Sequence, residues 1–317
     1  MNSKTAIVLG CSGQDGSLLC KSLLKKCEKV IGLTRSNHNP IRNHIKLGIN
    51  NDIEIIEGDI SRPETVQYLI EHYKPHSIFN LAGQSSVGKS FSYPNETLHS
   101  IINITQNILE VSRKIKYTGK LFFAGSGEMF GNTEEAAGIT HQQKPMSPYG
   151  IAKQTSYNLV KFYREIYQLN CVTGILFNHE SYLRSDHFVV PKIIKNASNI
   201  KINNSQHKIK FGNINVIRDW GWAPEYVEAM QIITESKKLS DYVICSGEAN
   251  SLEVFIEKIF SRFGLNWEEH IEIDQRLFRE QEISKSCGSP DLLFQELGWK
   301  TKENLDSIVN KLTDSLN

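Results

Sequence analysis

Short apolar runs, each followed by a longer stretch of mixed character, set the pattern of the first half of the chain. Residues 5–9 (TAIVL), 29–33 (KVIGL), 53–57 (IEIIE), 77–81 (SIFNL), 119–124 (GKLFFA) and 171–177 (CVTGILF) read as strands. Residues 16–27, 63–73, 97–113 and 148–167 read as helices between them. Strands alternating with helical stretches of ten or more residues predict an α/β fold, a doubly wound parallel sheet covered on both faces. Beyond about residue 178 the alternation stops, and only residues 252–263 and 304–315 read as further helices.

Composition narrows the possible partners. The 317 residues suffice for about two domains, and 36 Lys and Arg against 35 Asp and Glu leave a net charge of +1. Nucleic acid and anionic membrane call for a basic excess or stripe, so neither is expected as a partner. The six cysteines, Cys11, Cys20, Cys27, Cys171, Cys245 and Cys287, contain no C-x-x-C pair. Scattered thiols of this kind point to a reduced, cytoplasmic protein with no metal site or disulfide framework. The N-terminal apolar run is too short for a secretory signal, and no run approaches a membrane span. His72 and His76 are four apart, but Pro75 between them argues against a helical metal pair, and Trp220 and Trp222 read as packing residues.

Gly10, Gly13 and Gly16 (G-C-S-G-Q-D-G) fall between the first strand and the first helix. Glycines there allow a tight turn and close approach of backbone to a pyrophosphate, whose charge the helix N-terminus receives. This is the junction of a Rossmann-type dinucleotide fold. An acidic residue about 20 positions on would bind the adenosine ribose of NAD. No Asp or Glu occurs from Lys29 to Asn51, and the second strand runs into Arg35, which predicts NADP with Arg35 on the 2′-phosphate. Asp59 stands where it could meet the adenine, or it is a plain turn residue. Gln14, Asp15, Ile60, Leu81 and Ala82 complete the expected cofactor set. Residues 1–177, joined by part of 213–245, form the expected NADP-binding domain, and 178–317 mainly a smaller C-terminal substrate-binding lobe.

Tyr149 and Lys153 are spaced Y-x-x-x-K after an N-capping Ser147 and Pro148, which places both on one helical face. The ammonium is expected to lower the phenol's pKa, so that Tyr149 becomes a base for a sugar hydroxyl. Ser126, in A-G-S-G-E-M-F-G at the end of the fifth strand, could bond the same hydroxyl. Glu128, two residues on, adds a carboxylate that simple hydride transfer does not need but removal of a proton beside a ketone does.

These segments resemble the extended short-chain dehydrogenase/reductases and, within them, the GDP-mannose 4,6-dehydratase family. The likeness runs from about Thr5 to about Lys311 and includes N-L-A-G-Q-S-S-V from Asn80, G-I-L-F-N-H-E-S from Gly174 and G-N-I-N-V-I-R-D-W-G from Gly212. It implies Ser126, Glu128, Tyr149 and Lys153 as the catalytic set. It also implies Asn178, Lys192, Arg218, Arg279 and Glu282 on the GDP-sugar, with Ser85 beside the hexose. The implied reaction is a 4,6-dehydration of a nucleotide-sugar by an internal NADP redox cycle. Pro191, Tyr182 and Leu183 depart from the family pattern, as does the short loop after Arg35. With that loop reduced, a homodimer is expected instead of a tetramer. Two other readings compete: a reductase or epimerase of a 4-keto-6-deoxy nucleotide-sugar, against which Glu128 argues, and a non-catalytic dinucleotide sensor, against which the joint presence of Ser126, Tyr149 and Lys153 argues.

Overall fold

In the computed structural model, which describes residues 4–27, 29–35, 42–279 and 281–315, each apolar run of the first half becomes a strand. These are β1 (Thr5–Leu9), β2 (Lys29–Thr34), β3 (Glu54–Glu57), β4 (Ser77–Asn80), β5 (Lys120–Ser126) and β6 (Cys171–Leu176). Three short strands follow off the sheet, β7 (Asn178–Glu180), β8 (Ile209–Phe211) and β9 (Ile217–Trp222), and β10 (Tyr242–Ile244) then returns to pair with β6. The result is a parallel sheet in the order β10-β6-β5-β4-β1-β2-β3. The last strands, β11 (Ala249–Ser251), β12 (Ile271–Ile273) and β13 (Lys285–Ser286), join β9 or β8.

Alternation along the central strands sorts the core into two layers, because successive side chains leave a strand on opposite faces. Ala6, Val8 and Val30 pack with Leu19, Leu23, Tyr226, Met230 and Ile233, from the helices Gln14–Leu23 and Ala223–Glu235. Ile7, Leu9, Ile31 and Leu33 pack on the other face with Val66, Leu69, Ile108, Leu109 and Val160, from the helices Pro63–Tyr73, Ile104–Lys114 and Pro148–Tyr167. A separate apolar cluster joins Ile193 and Ala197 of the helix Val189–Asn203 to Trp220, Trp222, Phe255, Ile259 and Ile308. The two tryptophans are packing residues, 5% and 7% exposed.

Local differences from the sequence pattern have physical causes. The first helix begins at Gln14 with Gly13 in extended conformation as its N-cap, because Gly16 is needed inside the helix: a Cβ there would lie 2.2 Å from the Gly10 carbonyl oxygen. Pro94 opens the helix Pro94–Leu98 earlier than periodicity suggests, and a π-helical turn, His99–Asn103, joins it to Ile104–Lys114. β5 extends to Ser126, which carries the serine to the carboxyl edge of the sheet. The helices Arg42–Leu47 and Val87–Ser92 have too little apolar periodicity to be read beforehand. Among the described residues, no helix is long and apolar enough to cross a membrane, and no group of three His, Cys, Asp or Glu could hold a metal ion.

Candidate active site

The glycine turn is a cradle with no room for side chains. Gly10 has φ +81, and a Cβ on it would lie 2.8 Å from the Leu81 carbonyl oxygen. Since no side chain among the described residues caps the helix that begins at Gln14, its first N–H groups stay available to an anion. A cradle that a single methyl would fill, opening on a helix N-terminus, fits a dinucleotide pyrophosphate. Leu81 and Ala82 flank it at the end of β4, and Ile60 is buried beside β3. Arg35 is exposed at the end of β2. Asp59 Oδ1 accepts from Ser61 N (2.9 Å) and Ser61 Oγ (2.7 Å). Those bonds, and more weakly Arg62 and Arg35, hold its carboxyl below the usual range. The loop that bears on tetramer formation follows Arg35, in residues 36–41, which lie outside the described residues.

Gln14 and Asp15 turn away from a purely cofactor role. Gln14 Nε2 donates to the His179 carbonyl (3.3 Å), and Gln14 Oε1 accepts from Ser181 Oγ (2.8 Å), fastening the glycine turn to β7 and the chain after it. Asp15 Oδ2 lies 2.9 Å from His179 Nε2, while His179 Nδ1 lies 2.7 Å from the Phe177 carbonyl. A carbonyl only accepts, so Nδ1 carries a proton; a carboxylate opposite Nε2 then requires a second proton there, which makes the ring an imidazolium. Burial opposes both charges, but the pairing prevails: Asp15 is held down at about 2 and His179 is raised. Buried Glu180 lies 3.7 Å from Arg184 Nε, and burial raises its carboxyl against the pull of Arg184.

At the carboxyl end of β5, Ser126 Oγ accepts from the Glu128 N–H (3.3 Å). Tyr149 and Lys153 project from the helix Pro148–Tyr167, which Ser147 caps by accepting from the Gly150 N–H (3.0 Å). The lysine ammonium donates to the Ala124 carbonyl (2.7 Å) and stands 5.7 Å from the centre of the Tyr149 ring. Burial pushes Tyr149 up to about 12, only partly offset by a hydrogen bond to Ser126. Burial also takes Lys153 down to about 8, against the pull of Asp15. Burial is the largest cause of both shifts, since it penalises the charged form of each group.

Glu128 faces a cluster of opposite charge. Burial raises its carboxyl, while Arg218 and Arg279 draw it down. Arg218, 6% exposed, donates from Nη2 to Glu282 Oε1 (3.3 Å), and Arg279 Nη1 donates to the same oxygen (3.2 Å). Arg218 stands on β9, where Asn178 of β7 pairs with Trp220 two residues on. The structure thus brings Ser126, Glu128, Tyr149, Lys153, Arg218, Arg279 and Glu282 into one electrostatic neighbourhood. Lys192 lies beside β8, its ammonium donating to the Lys210 carbonyl (3.2 Å) and 4.7 Å from the Phe211 ring. Ser85 is exposed just before the helix Val87–Ser92. Leu183 is a core residue and Tyr182 lies 6.4 Å from Trp222, ring to ring. Sequence reasoning missed His179, Glu180 and Arg184; the N-H-E-S string was the available signal, but only Asn178 was drawn from it.

Comparison with known proteins agrees with this geometry. A family model described as GDP-mannose 4,6 dehydratase matches residues 7–312. GDP-mannose 4,6 dehydratase 1 of Arabidopsis thaliana is 37% identical over 98% of this chain and 89% of its own. GDP-mannose 4,6 dehydratase of Homo sapiens is 31% identical over 97% of this chain and 90% of its own. Among solved structures, dTDP-glucose 4,6-dehydratase from Bacillus anthracis in complex with NAD superposes with a TM-score of 0.85 at 18% identity, covering 98% of this chain and 96% of that one. RMD from Pseudomonas aeruginosa complexed with NADPH gives 0.80 at 19% identity, with 98% of each chain covered.

Proposed function

The chain belongs to the GDP-mannose 4,6-dehydratase family, and from that premise we propose that it is a nucleotide-sugar 4,6-dehydratase converting GDP-mannose to GDP-4-keto-6-deoxymannose on NADP. The observation that carries the reading is Glu128, a carboxylate two residues past Ser126 and facing the Arg218–Glu282–Arg279 cluster. A reductase of a 4-keto sugar has no use for a carboxylate base at that position.

Tyr149, its phenol drawn toward ionisation by the Lys153 ammonium and by the positive charge that an oxidised dinucleotide would bring, takes the proton of the C4 hydroxyl, which the Ser126 hydroxyl orients. Held at the glycine turn, a dinucleotide would supply the hydride acceptor for C4 and the hydride donor for C6, so that no net oxidation would occur. The resulting 4-ketone acidifies C5, and Glu128, its carboxyl already raised by burial, removes that proton and delivers it to the departing C6 hydroxyl, which leaves as water. The proton that Tyr149 took from the C4 hydroxyl is given up, through solvent, as one proton is added to C5, so Tyr149 and Glu128 end the cycle in their starting states. Lys153 holds its place through the Ala124 carbonyl and supplies charge beside the phenol.

Gly10, Gly13, Gly16, Leu81, Ala82 and the first turn of the helix hold the dinucleotide, with residues 1–177 and part of 213–245 as its domain. Arg35 takes the 2′-phosphate, and no carboxylate from Lys29 to Asn51 competes for it. Residues 178–317 mainly hold the nucleotide-sugar, with Arg218, Arg279 and Lys192 toward the diphosphate, Glu282 and Asn178 beside it and Ser85 at the hexose. Exposed Ile151, Phe162, Ile166 and Tyr167 on one helix support a homodimer, and free, largely buried cysteines support a cytoplasmic setting.

The test is incubation of the purified protein with GDP-mannose and catalytic NADP⁺. The expected product is lighter by one water, with no build-up of free NADPH. Stoichiometric release of NADPH, or an unchanged sugar, refutes the reading.

A further inference from the structure

Asn132 stands four residues beyond Glu128, and its course is fixed by Gly131, whose φ is +71 and where a Cβ would lie 2.2 Å from the Lys144 carbonyl oxygen. From there the Asn132 carboxamide reaches across about 150 residues of sequence. Its Oδ1 accepts from Ser284 N (2.7 Å), Ser284 Oγ (2.9 Å) and Lys285 N (3.3 Å). A carboxamide oxygen has two lone pairs, so the longest of the three bonds is the shared one. Its Nδ2 donates to Met146 Sδ (3.4 Å).

Ser284 and Lys285 connect directly to the charged cluster. Glu282, which accepts from both Arg218 and Arg279, is two residues before Ser284. The Ser284 carbonyl accepts from Ile217 N (2.8 Å), and β13 then runs beside β9 with Ser286 opposite Arg218. The neighbouring residues continue the seam, Thr133 N donating to the Lys285 carbonyl (3.0 Å) and Cys287 N to Thr133 Oγ1 (2.8 Å). One side-chain oxygen therefore ties the loop that carries Glu128 to the segment that carries Arg279 and Glu282, at the place where that segment meets the Arg218 strand.

We infer that Asn132 is a positioning residue, which sets the Arg279–Glu282 segment and Arg218 relative to Glu128 so that nucleotide-sugar binding is aligned with the C5 base. The inference rests on the reading that this segment holds the nucleotide-sugar. What matters is an acceptor oxygen at this point, since all three tethering donors belong to the other side. Aspartate supplies that oxygen and alanine does not.

The experiment measures kcat and the KM values for GDP-mannose and for NADP⁺ in Asn132→Ala, Asn132→Asp and Glu282→Gln enzymes. Asn132→Ala is expected to raise the GDP-mannose KM by about fivefold, with the NADP⁺ KM unchanged, as loss of surface-accessible tethers allows. Asn132→Asp is expected to restore the wild-type KM. An unchanged KM in Asn132→Ala while Glu282→Gln raises it overturns the positioning role alone. Unchanged KM in both enzymes overturns the reading of the segment and the positioning role with it. An Asn132→Asp enzyme as impaired as Asn132→Ala also overturns it, because the acceptor oxygen would then be immaterial.

Discussion

Replacing Glu128 by glutamine removes a proton acceptor while keeping shape and leaves the rest of the cluster in place. Among the described residues, Arg218 and Arg279 then face Glu282 as their single carboxylate, so this group changes from two positive and two negative charges to a net positive one. A diphosphate is attracted more strongly to such a site, so the KM for GDP-mannose should fall or stay constant. The chemical step loses its base. A positioned general base contributes roughly 10²–10⁴ in rate, about 3–5 kcal/mol of barrier, and kcat should drop by that factor. Oxidation at C4 depends on Tyr149 and Ser126 and survives, so the variant mixed with substrate should show enzyme-bound NADPH by absorbance. In deuterated water the wild type should place deuterium at C5, and the variant should not. The wild-type rate should also fall on acidification along a limb above the ordinary glutamate pKa of 4.5, since burial raises this carboxyl. Turnover within a few fold of wild type, or C5 exchange at the wild-type rate, refutes the assignment.

Arg35→Ala should raise the KM for NADP⁺ by about tenfold, the value of a charge-assisted phosphate contact, and leave that for NAD⁺ unchanged; equal effects on both cofactors refute the role. Asp241 takes two hydrogen bonds from Arg164 (2.7 and 2.5 Å) and one from the Thr173 N–H (2.7 Å), and its side chain is 4% exposed. Asp241→Ala leaves that guanidinium unpaired and should cost about 3–5 kcal/mol in denaturant unfolding; a loss under about 1 kcal/mol refutes the argument. His44 is fully buried, its Nε2 2.9 Å from the Cys11 carbonyl and its Nδ1 without a partner among the described residues, and burial lowers its pKa below 6.5. The unfolded chain therefore binds the extra proton first, and stability should fall as pH drops below about 6.5. His44→Gln should flatten that part of a stability–pH curve, and an unaltered curve would show that His44 is not its source.

Much of this architecture was legible because it is written in local pattern. The runs at Thr5–Leu9 and Cys171–Leu176 are apolar on both faces, as interior parallel strands must be, and the glycine turn and Y-x-x-x-K helix carry their geometry in their spacing. What was not legible depends on residues meeting across the fold. The Asp15–His179 pair joins positions 164 apart, and no local spacing announces it. The burial of Tyr149 and Lys153 was hidden for a related reason: their common face can be read from the helix spacing, whereas the dryness of the crevice around them cannot.

The return of β10 to the edge of β6 has a consequence for synthesis. All six residues of β6 are buried, and the strand that covers its outer edge begins at Tyr242, some 65 positions after β6 ends. Until that stretch has left the ribosome, a nascent chain holding β1 to β6 presents an open apolar edge, the feature that invites pairing with another chain. At roughly 5–20 residues per second the exposure lasts several seconds in each round of translation. Truncations ending near residue 177 keep this edge permanently, so their failure mode should be aggregation, and slowed translation between β6 and β10 should lower soluble yield without any change in the finished protein.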